Sequence, residues 1–230
     1  MSTATPQDKN VKPRAIDPRP ARTRAAIYAA VRSLSETEED LAVNDVVRHA
    51  GVSRASFYAH FSNLEDVGSA MITEMLQTLE QDTLTVNGDF TIPERVRISV
   101  YTAAQLVVDH RAFLRGALRW KVSGIAAAKI TSLLTSYWRW AIDLVGDAAP
   151  KGKDPDTLAR FLAGGLYALY VAWLLDDERG TSDPKQEAFD LSAEVVGALP
   201  RWVVGPESFT DPTELIEQAR AQREASVETA

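Results

Sequence analysis

The sequence predicts an all-α fold. Apolar residues recur at spacings of three and four along most of the chain, the pattern of a helix that buries one face. No segment alternates apolar and polar residues as a half-buried strand does, so strand content is expected near zero. Proline and glycine also fall where helices begin or end: Pro93 and Pro184 read as first-turn prolines, and Gly51 closes a short apolar helix.

The elements follow in order. Residues 1–18 are rich in Pro, Thr, Lys and Asp without a periodic apolar face, and read as a disordered basic arm. From Arg19, Ile27, Ala30, Val31 and Leu34 recur at helical spacing, and the acidic run from Glu36 to Asp40 ends that helix. A short helix from Val43 to Ala50 presents Val43, Val46, Val47 and Ala50. Gly51 stops it, and Ser53 caps another very short helix, about Ser53 to His60, with Phe57 and Phe61 inward. Two short helices separated by three to four residues have helix-turn-helix spacing. A longer helix capped at Ser62 or Asn63 runs to about Gln81, with Glu65 and Asp66 in its first turn and Val67, Ala70, Met71, Met75 and Leu76 inward. Further helices are expected from Pro93 to about Asp109, Arg111 to Leu118, Gly124 to Val145, Asp156 to Asp176 and Pro184 to Leu199. A polar tail with a short helix after Pro212 closes the chain. The domains are therefore drawn as 1–18 (arm), 19–68 (helix-turn-helix, its connecting helix continuing to about 81), 82–204 (a larger helical domain) and 205–230 (polar tail).

Composition narrows the function. Hydrophobic residues make up 45% of the 230, enough for a sizeable core. Without cysteine there are no disulfides, thiolate nucleophiles or cysteine metal sites, which fits a reducing compartment. The first 20 residues contain four prolines and no apolar signal core. The apolar stretch Phe161 to Leu175 is shorter than the roughly 20 residues that span a bilayer. A cytoplasmic protein without a membrane partner is expected. The net charge is −7, but residues 1–62 carry nine basic and seven acidic side chains, and the basic ones cluster from Lys9 to Arg24. For contact with a polyanion, this local excess matters more than the total.

The informative stretch runs from Leu41 to Val67. A recognition helix is short, projects into the major groove, and needs small or polar residues outward with one or two large anchors inward. Phe57 and Phe61 supply the anchors, and Ser53, Arg54, Ala55, Ser56 and Tyr58 can face outward. Arg54 has the fork for a guanine edge, and Ser56, Tyr58 and His60 are phosphate-donor candidates. The sequence Ala50-Gly51-Val52, then Phe57-Tyr58-Ala59-His60-Phe61, then Ser62-Asn63-Leu64-Glu65-Asp66, resembles the TetR family of bacterial one-component repressors over about residues 22–68. The resemblance implies that Asn44, Arg54, Ala55 and Tyr58 approach bases and that Tyr58 and His60 approach the backbone of a palindromic double-stranded operator. Three positions depart from the family pattern. Ala42 stands where Thr or Ser caps and contacts phosphate, Leu64 stands where Lys opens the fourth helix, and Ser35 to Asp40 replaces a glycine link. They imply weaker non-specific DNA affinity, which the arm is placed to offset.

The same resemblance implies an effector pocket among the middle helices, with Tyr101, Gln105, Phe113, Trp120, Tyr137, Trp138 and Tyr170 as candidates. Aromatics with few charges suit a largely apolar ligand. It also implies a homodimer through two late helices. Gly164, Ala168, Val171 and Leu175 are candidates on one, and Leu191, Val195 and Leu199 on the other. No metal or cofactor is expected: His110 is the only histidine of this half, and Asp109 beside it does not make a site. Nor is an enzyme: Gly164-Gly165 lies inside a helical run without the strand and spacing of a phosphate loop, and no nucleophile has a positioned base. Two readings remain. One is a repressor released from DNA by a small apolar effector. The other is a DNA-binding or protein-interaction regulator whose C-terminal domain only dimerises.

Overall fold

The computed structural model describes residues 19–36, 41–84, 90–119, 123–180 and 183–205, together with 213, 214, 216, 217 and 221. The basic arm, Trp120 and most of the polar tail lie outside the described residues. Every regular element among the described residues is helical, so the all-α expectation holds.

The N-terminal unit begins with α1 (Arg19–Ser35), α2 (Val43–Ala50) and α3 (Arg54–Tyr58). Ile27, Tyr28, Ala30 and Val31 of α1 are buried, as are Val46 of α2 and Phe57 and Phe61 at α3 and just beyond it. Gly51 takes φ 63°, ψ 27°, the left-handed conformation that ends α2 and turns the chain. The Ser53 side chain accepts from the Ser56 amide at 3.0 Å and caps α3. Ala42, at the start of α2, makes no side-chain cap.

Next comes α4 (Leu64–Leu84), three residues longer than expected, with the Asn63 side chain accepting from the Asp66 amide at 2.8 Å. Its buried residues Val67, Met71, Ile72 and Met75 close the N-terminal core. The second half consists of α5 (Ile92–Asp109), α6 (Arg111–Arg119), α7 (Ser123–Val145), α8 (Pro155–Leu175), α9 (Pro184–Ala198) and α10 (Arg201–Val204). Thr91 and Glu94 form a reciprocal capping box at the start of α5, while Asp154 and Asp183 cap the two helices that open on proline. α7 packs along α8 and α5 along α9, and the core around Trp138, Leu162, Leu166, Trp173, Leu191 and Val195 lies between them. Arg97, buried, donates to the Val204 carbonyl at 2.9 Å and holds α10 against α5.

Three expectations need correction. Leu191 and Val195 do not face a partner: both are fully buried within the protomer, on the side of α9 that packs against α5. Helical spacing shows that a stripe is buried but not by what. The length argument against a membrane span also fails, because α8 is a mostly apolar helix of 21 residues. Packing supplies the better argument: Ala159, Leu162, Ala163, Leu166, Tyr170, Trp173 and Leu174 are all buried in the protein core. Finally, α10 lies in a segment where no helix was expected, and its Val203 and Val204 are buried.

Candidate nucleic-acid interface and effector cavity

The outer face of α3 follows from its anchors. In so short a helix, burying Phe57 and capping with Ser53 leaves Arg54, Ala55 and Tyr58 exposed; Tyr58 is 57% exposed and stacks edge-on to Phe57 with ring centroids 5.4 Å apart. Arg54 donates to the side-chain oxygen of Asn44, which joins the first turns of α3 and α2 in one polar surface. Ser53 is committed locally: its hydroxyl receives the Ser56 amide and donates to the Ser56 hydroxyl at 3.0 Å. His60 is half-buried, its ring 6.3 Å from that of Phe61. Asn44, Ser53, Arg54, Ala55, Ser56, Tyr58 and His60 thus lie on or beside a single ridge.

Arg24, the last of the basic cluster, is engaged within the protein. Its guanidinium donates to Tyr28 at 2.8 Å and to Glu74 at 2.5 Å, and sits over the Tyr28 and Phe61 rings. Tyr28 also donates to Glu74 at 3.1 Å. This arginine ties α1 to α4. The Tyr28 hydroxyl raises its pKa further, against burial.

Behind the ridge, the two halves of the molecule share structure. Phe113 and Ala117 of α6 are buried in the same apolar cluster as Ile27, Phe57 and Met71. The opposite side of α6 is held to the end of α8: Arg111 donates to the Asp176 carbonyl at 2.7 Å and lies over Trp173, and Arg115 pairs with Asp177 at 2.5 Å. The Arg115 guanidinium lowers the Asp177 pKa. Lys129 of α7 donates to Ser69 and Thr73 of α4, each at 3.2 Å.

Two adjoining apolar cavities occupy the second half. The smaller, about 100 Å³, is walled by Ile72, Met75 and Leu76 of α4, Leu114, Ala117 and Leu118 of α6, and Tyr170 and Leu174 of α8. The larger, about 240 Å³, is walled by Ser99 and Val100 of α5, Leu133, Tyr137, Trp138 and Trp140 of α7, and Leu166 of α8. Leu79, Ala103 and Leu134 line both. Of the aromatic candidates, Tyr170 lines the first cavity and Tyr137 and Trp138 the second. Tyr101, Gln105 and Phe113 are not among the lining residues of either. Aliphatic residues of α4 and α6 supply much of the wall. Their composition does not distinguish a cavity wall from ordinary core.

Two buried polar atoms of residues that line the larger cavity have no hydrogen-bond partner: the Tyr137 hydroxyl and the Trp138 indole nitrogen. A buried donor left unmade costs about 1–3 kcal/mol. Burial pushes the Tyr137 hydroxyl up to about 12, with the nearby Ser99 hydroxyl acting against the rise. The Ser99 proton is already given to the Arg95 carbonyl at 2.8 Å, and Ser99 and Tyr137 do not reach hydrogen-bond geometry. Tyr170 is raised further by burial and donates at 3.4 Å to the Val100 carbonyl. Both phenols are neutral at ordinary pH.

An exposed helix-turn-helix at one end of an all-helical body defines a DNA-binding transcription regulator. Residues 26–71 match the family profile described as bacterial regulatory proteins, tetR family. The HTH-type transcriptional repressor DhaR of Mycobacterium sp. (strain GP1) is 27% identical over 135 residues, 57% of this chain and 68% of that protein. NalD, the secondary repressor of the MexAB-OprM multidrug efflux pump in Pseudomonas aeruginosa, superposes with a TM-score of 0.56 at 21% identity, over 79% of this chain and 98% of that one. A TetR-family regulator from Pectobacterium atrosepticum gives 0.57 at 19% identity, over 84% and 100%. Likenesses at such identity speak for the fold; the matched helix-turn-helix carries the assignment. Residues 26–71 thus carry the helix-turn-helix segment described for the tetR family of bacterial regulatory proteins.

Proposed function

We propose that this protein is a homodimeric cytoplasmic repressor that leaves a palindromic operator when a small apolar effector fills the cavities between α4 and α8. The observation that carries the reading is the sharing of residues between cavity and DNA-binding core. Ile72, Met75 and Ala117 line the smaller cavity and also belong to the cluster that anchors Phe57 of α3. Protein interiors are close-packed, so a ligand that displaces these side chains displaces the helices carrying them. DNA contact is assigned to Asn44, Ser53, Arg54, Ala55, Ser56, Tyr58 and His60, with Arg54 reading a base edge and Ser56, Tyr58 and His60 on phosphates. The functional division is 1–18 as arm, 19–68 as DNA-binding domain, 82–204 as sensor and dimer domain, and 205–230 as tail, with α6 reaching from the sensor into the DNA-binding core.

The dimer seam is placed on the outer stripe of α8. Phe161 is 78% exposed and Leu175 55%, and Gly164, Gly165, Ala168 and Ala172 lie exposed between them. These form one apolar stripe along the helix, with small residues that permit close approach of a second copy. Val171 and Leu199 are half-buried beside it, and Val196 adds apolar surface from α9. A symmetric pair is what two half-sites about 34 Å apart require.

The test is selection of duplex DNA from a random pool, followed by titration with and without candidate effectors. A sensor shows reciprocal linkage: operator weakens effector binding by the factor by which effector weakens operator binding. Effector affinity unchanged by saturating operator contradicts the sensing reading. Failure to select any sequence contradicts DNA recognition.

A further inference from the structure

We infer that Arg111 is the positioning residue that sets the spacing of the two recognition helices in the dimer. It fixes α6 to the turn that follows α8, and α6 carries that hold into the core beneath α3. The inference rests on the seam proposed along α8 and adds how the seam reaches the DNA-binding half.

The turn is built around the arginine. Residues 176–180 follow directly on Leu175, the last residue of α8 and the end of the exposed apolar stripe. The Arg111 guanidinium lies 5.7 Å from the centre of the Trp173 ring and donates to the Asp176 carbonyl at 2.7 Å. Gly180 packs directly against the same side chain. It takes φ 80°, and a Cβ there would stand 2.8 Å from the Arg111 Cδ and Nε, so only glycine leaves room for the guanidinium. The Gly180 amide in turn donates to the buried carboxylate of Glu187 at 2.9 Å, which pins the turn to α9. One helical turn further along α6, Arg115 pairs with Asp177 at 2.5 Å. Both arginines leave a buried Nε without a hydrogen-bond partner. Apolar residues at these places would avoid that desolvation cost, so the pair is a poor choice for stability alone. Directional contacts at two points one turn apart do hold a helix against rolling.

The other side of α6 ends in the DNA-binding half. Phe113 and Ala117 are buried with Ile27 of α1, Phe57 of α3 and Met71 of α4. Helix α6 is thus a strut from the end of the seam helix to the floor of the recognition helix. Rigidity there has a consequence that a merely structural contact lacks. Two half-sites are read together only at a matching separation, so a stiff connection makes binding tight at that spacing and steeply worse at others.

The test measures Kd by fluorescence anisotropy for the full chain, Arg111→Gln and Gly180→Ala on three duplexes. These are the selected operator, the same operator with one base pair inserted at its centre, and a duplex with a single half-site. The insertion separates the half-sites by about 3.4 Å more and turns one by about 34°. The parent should lose at least about tenfold on the insertion and the variants about threefold or less, because their recognition helices can follow the sites. Both variants should also bind the selected operator more weakly than the parent, yet match it within about twofold on the single half-site, where the outward face of α3 is untouched. Arg139→Ala, which breaks an α7–α8 ion pair away from α6, should keep the parent's profile. Asp177→Ala changes an exposed side chain and should shift the profile the same way by less, which keeps the test open where Arg111→Gln or Gly180→Ala fails to fold. The parent's spacing penalty retained in every folded variant overturns the inference. Equal weakening on all three duplexes overturns it too, as does a parent indifferent to the insertion. A selected duplex without a two-fold repeat, or a monomer bound to it, fails the dimer reading itself and the inference with it.

Discussion

Phe113 offers the sharpest test of how the two halves are joined. It sits on α6, in the second half of the chain, yet its side chain is only 2% exposed and is buried among residues of α1, α3 and α4. Replacing it with alanine removes a ring from the DNA-binding core without touching the outward face of α3. A buried Phe→Ala change costs about 3–5 kcal/mol, a large part of the roughly 5–15 kcal/mol that holds a domain folded. For a chain of this length, that lowers the melting temperature by roughly 6–20 °C. Calorimetric melting of Phe113→Ala and Phe113→Leu, with hydrogen exchange read separately over α1 and α9, is the assay. The leucine variant should retain most of the stability. In the alanine variant, protection should fall in α1 as well as α6, because the lost contacts belong to α1. A melting temperature within 2 °C of the parent, or lost protection confined to α6 and α9, refutes the claim that α6 completes the DNA-binding core.

The remaining predictions concern the seam and one titrating group. Phe161→Glu with Ala168→Glu should give a folded monomer by light scattering, since both positions are exposed in the protomer, whereas Val195→Glu should unfold the chain by burying a charge in the α5–α9 core. A dimer persisting in the first variant moves the seam elsewhere. His110, between α5 and α6, has its pKa lowered below 6.5 chiefly by burial, then by Arg32, with Asp109 acting the other way. Its neutral form is the one the fold favours, so the unfolded chain binds more protons between the folded pKa and 6.5 and stability falls as pH drops through that window. Melting followed from pH 7.5 to 5.5 should show a smaller loss in His110→Gln than in the parent; parallel curves contradict this.

The N-terminal half was more legible than the rest because its signals are local. Gly51 behind Ala50 marks a left-handed stop, Ser53 three residues before Ser56 marks a cap, and Phe57 and Phe61 four apart mark the buried side. The bounds of α2 agree with the structure to the residue, and α3 is shorter by its ends alone. The capping box at α5 was equally available, since Thr91 and Glu94 stand three apart ahead of an apolar run. What sequence did not yield is which partner each apolar face meets. Leu191 and Val195 look like a seam by spacing and are core, whereas Phe161, in the same apolar run as the buried Leu162 and Ala163, is exposed. The cavities escaped for a similar reason. Aromatics drew attention to Tyr101 and Phe113, but the cavity walls are largely made of leucine, isoleucine and alanine contributed by several helices. By sequence Arg24 is one of the basic cluster from Lys9 to Arg24, and only the fold brings it to Glu74, 50 residues away.

The function proposed for this protein requires that the exposed face of α3 read DNA. The direct measurement is a fluorescence-anisotropy titration of the parent and Arg54→Ala on the selected duplex and on a random duplex of equal length, at one fixed salt concentration. Arg54 is exposed, held by Asn44, and stands at the first position of α3. Losing a bidentate base contact costs about 1–3 kcal/mol, roughly a fivefold to 150-fold weaker Kd. The account predicts that loss on the selected duplex with a much smaller change on the random one, so that specificity collapses toward the non-specific level. Equal affinity of both proteins for the selected duplex would contradict it.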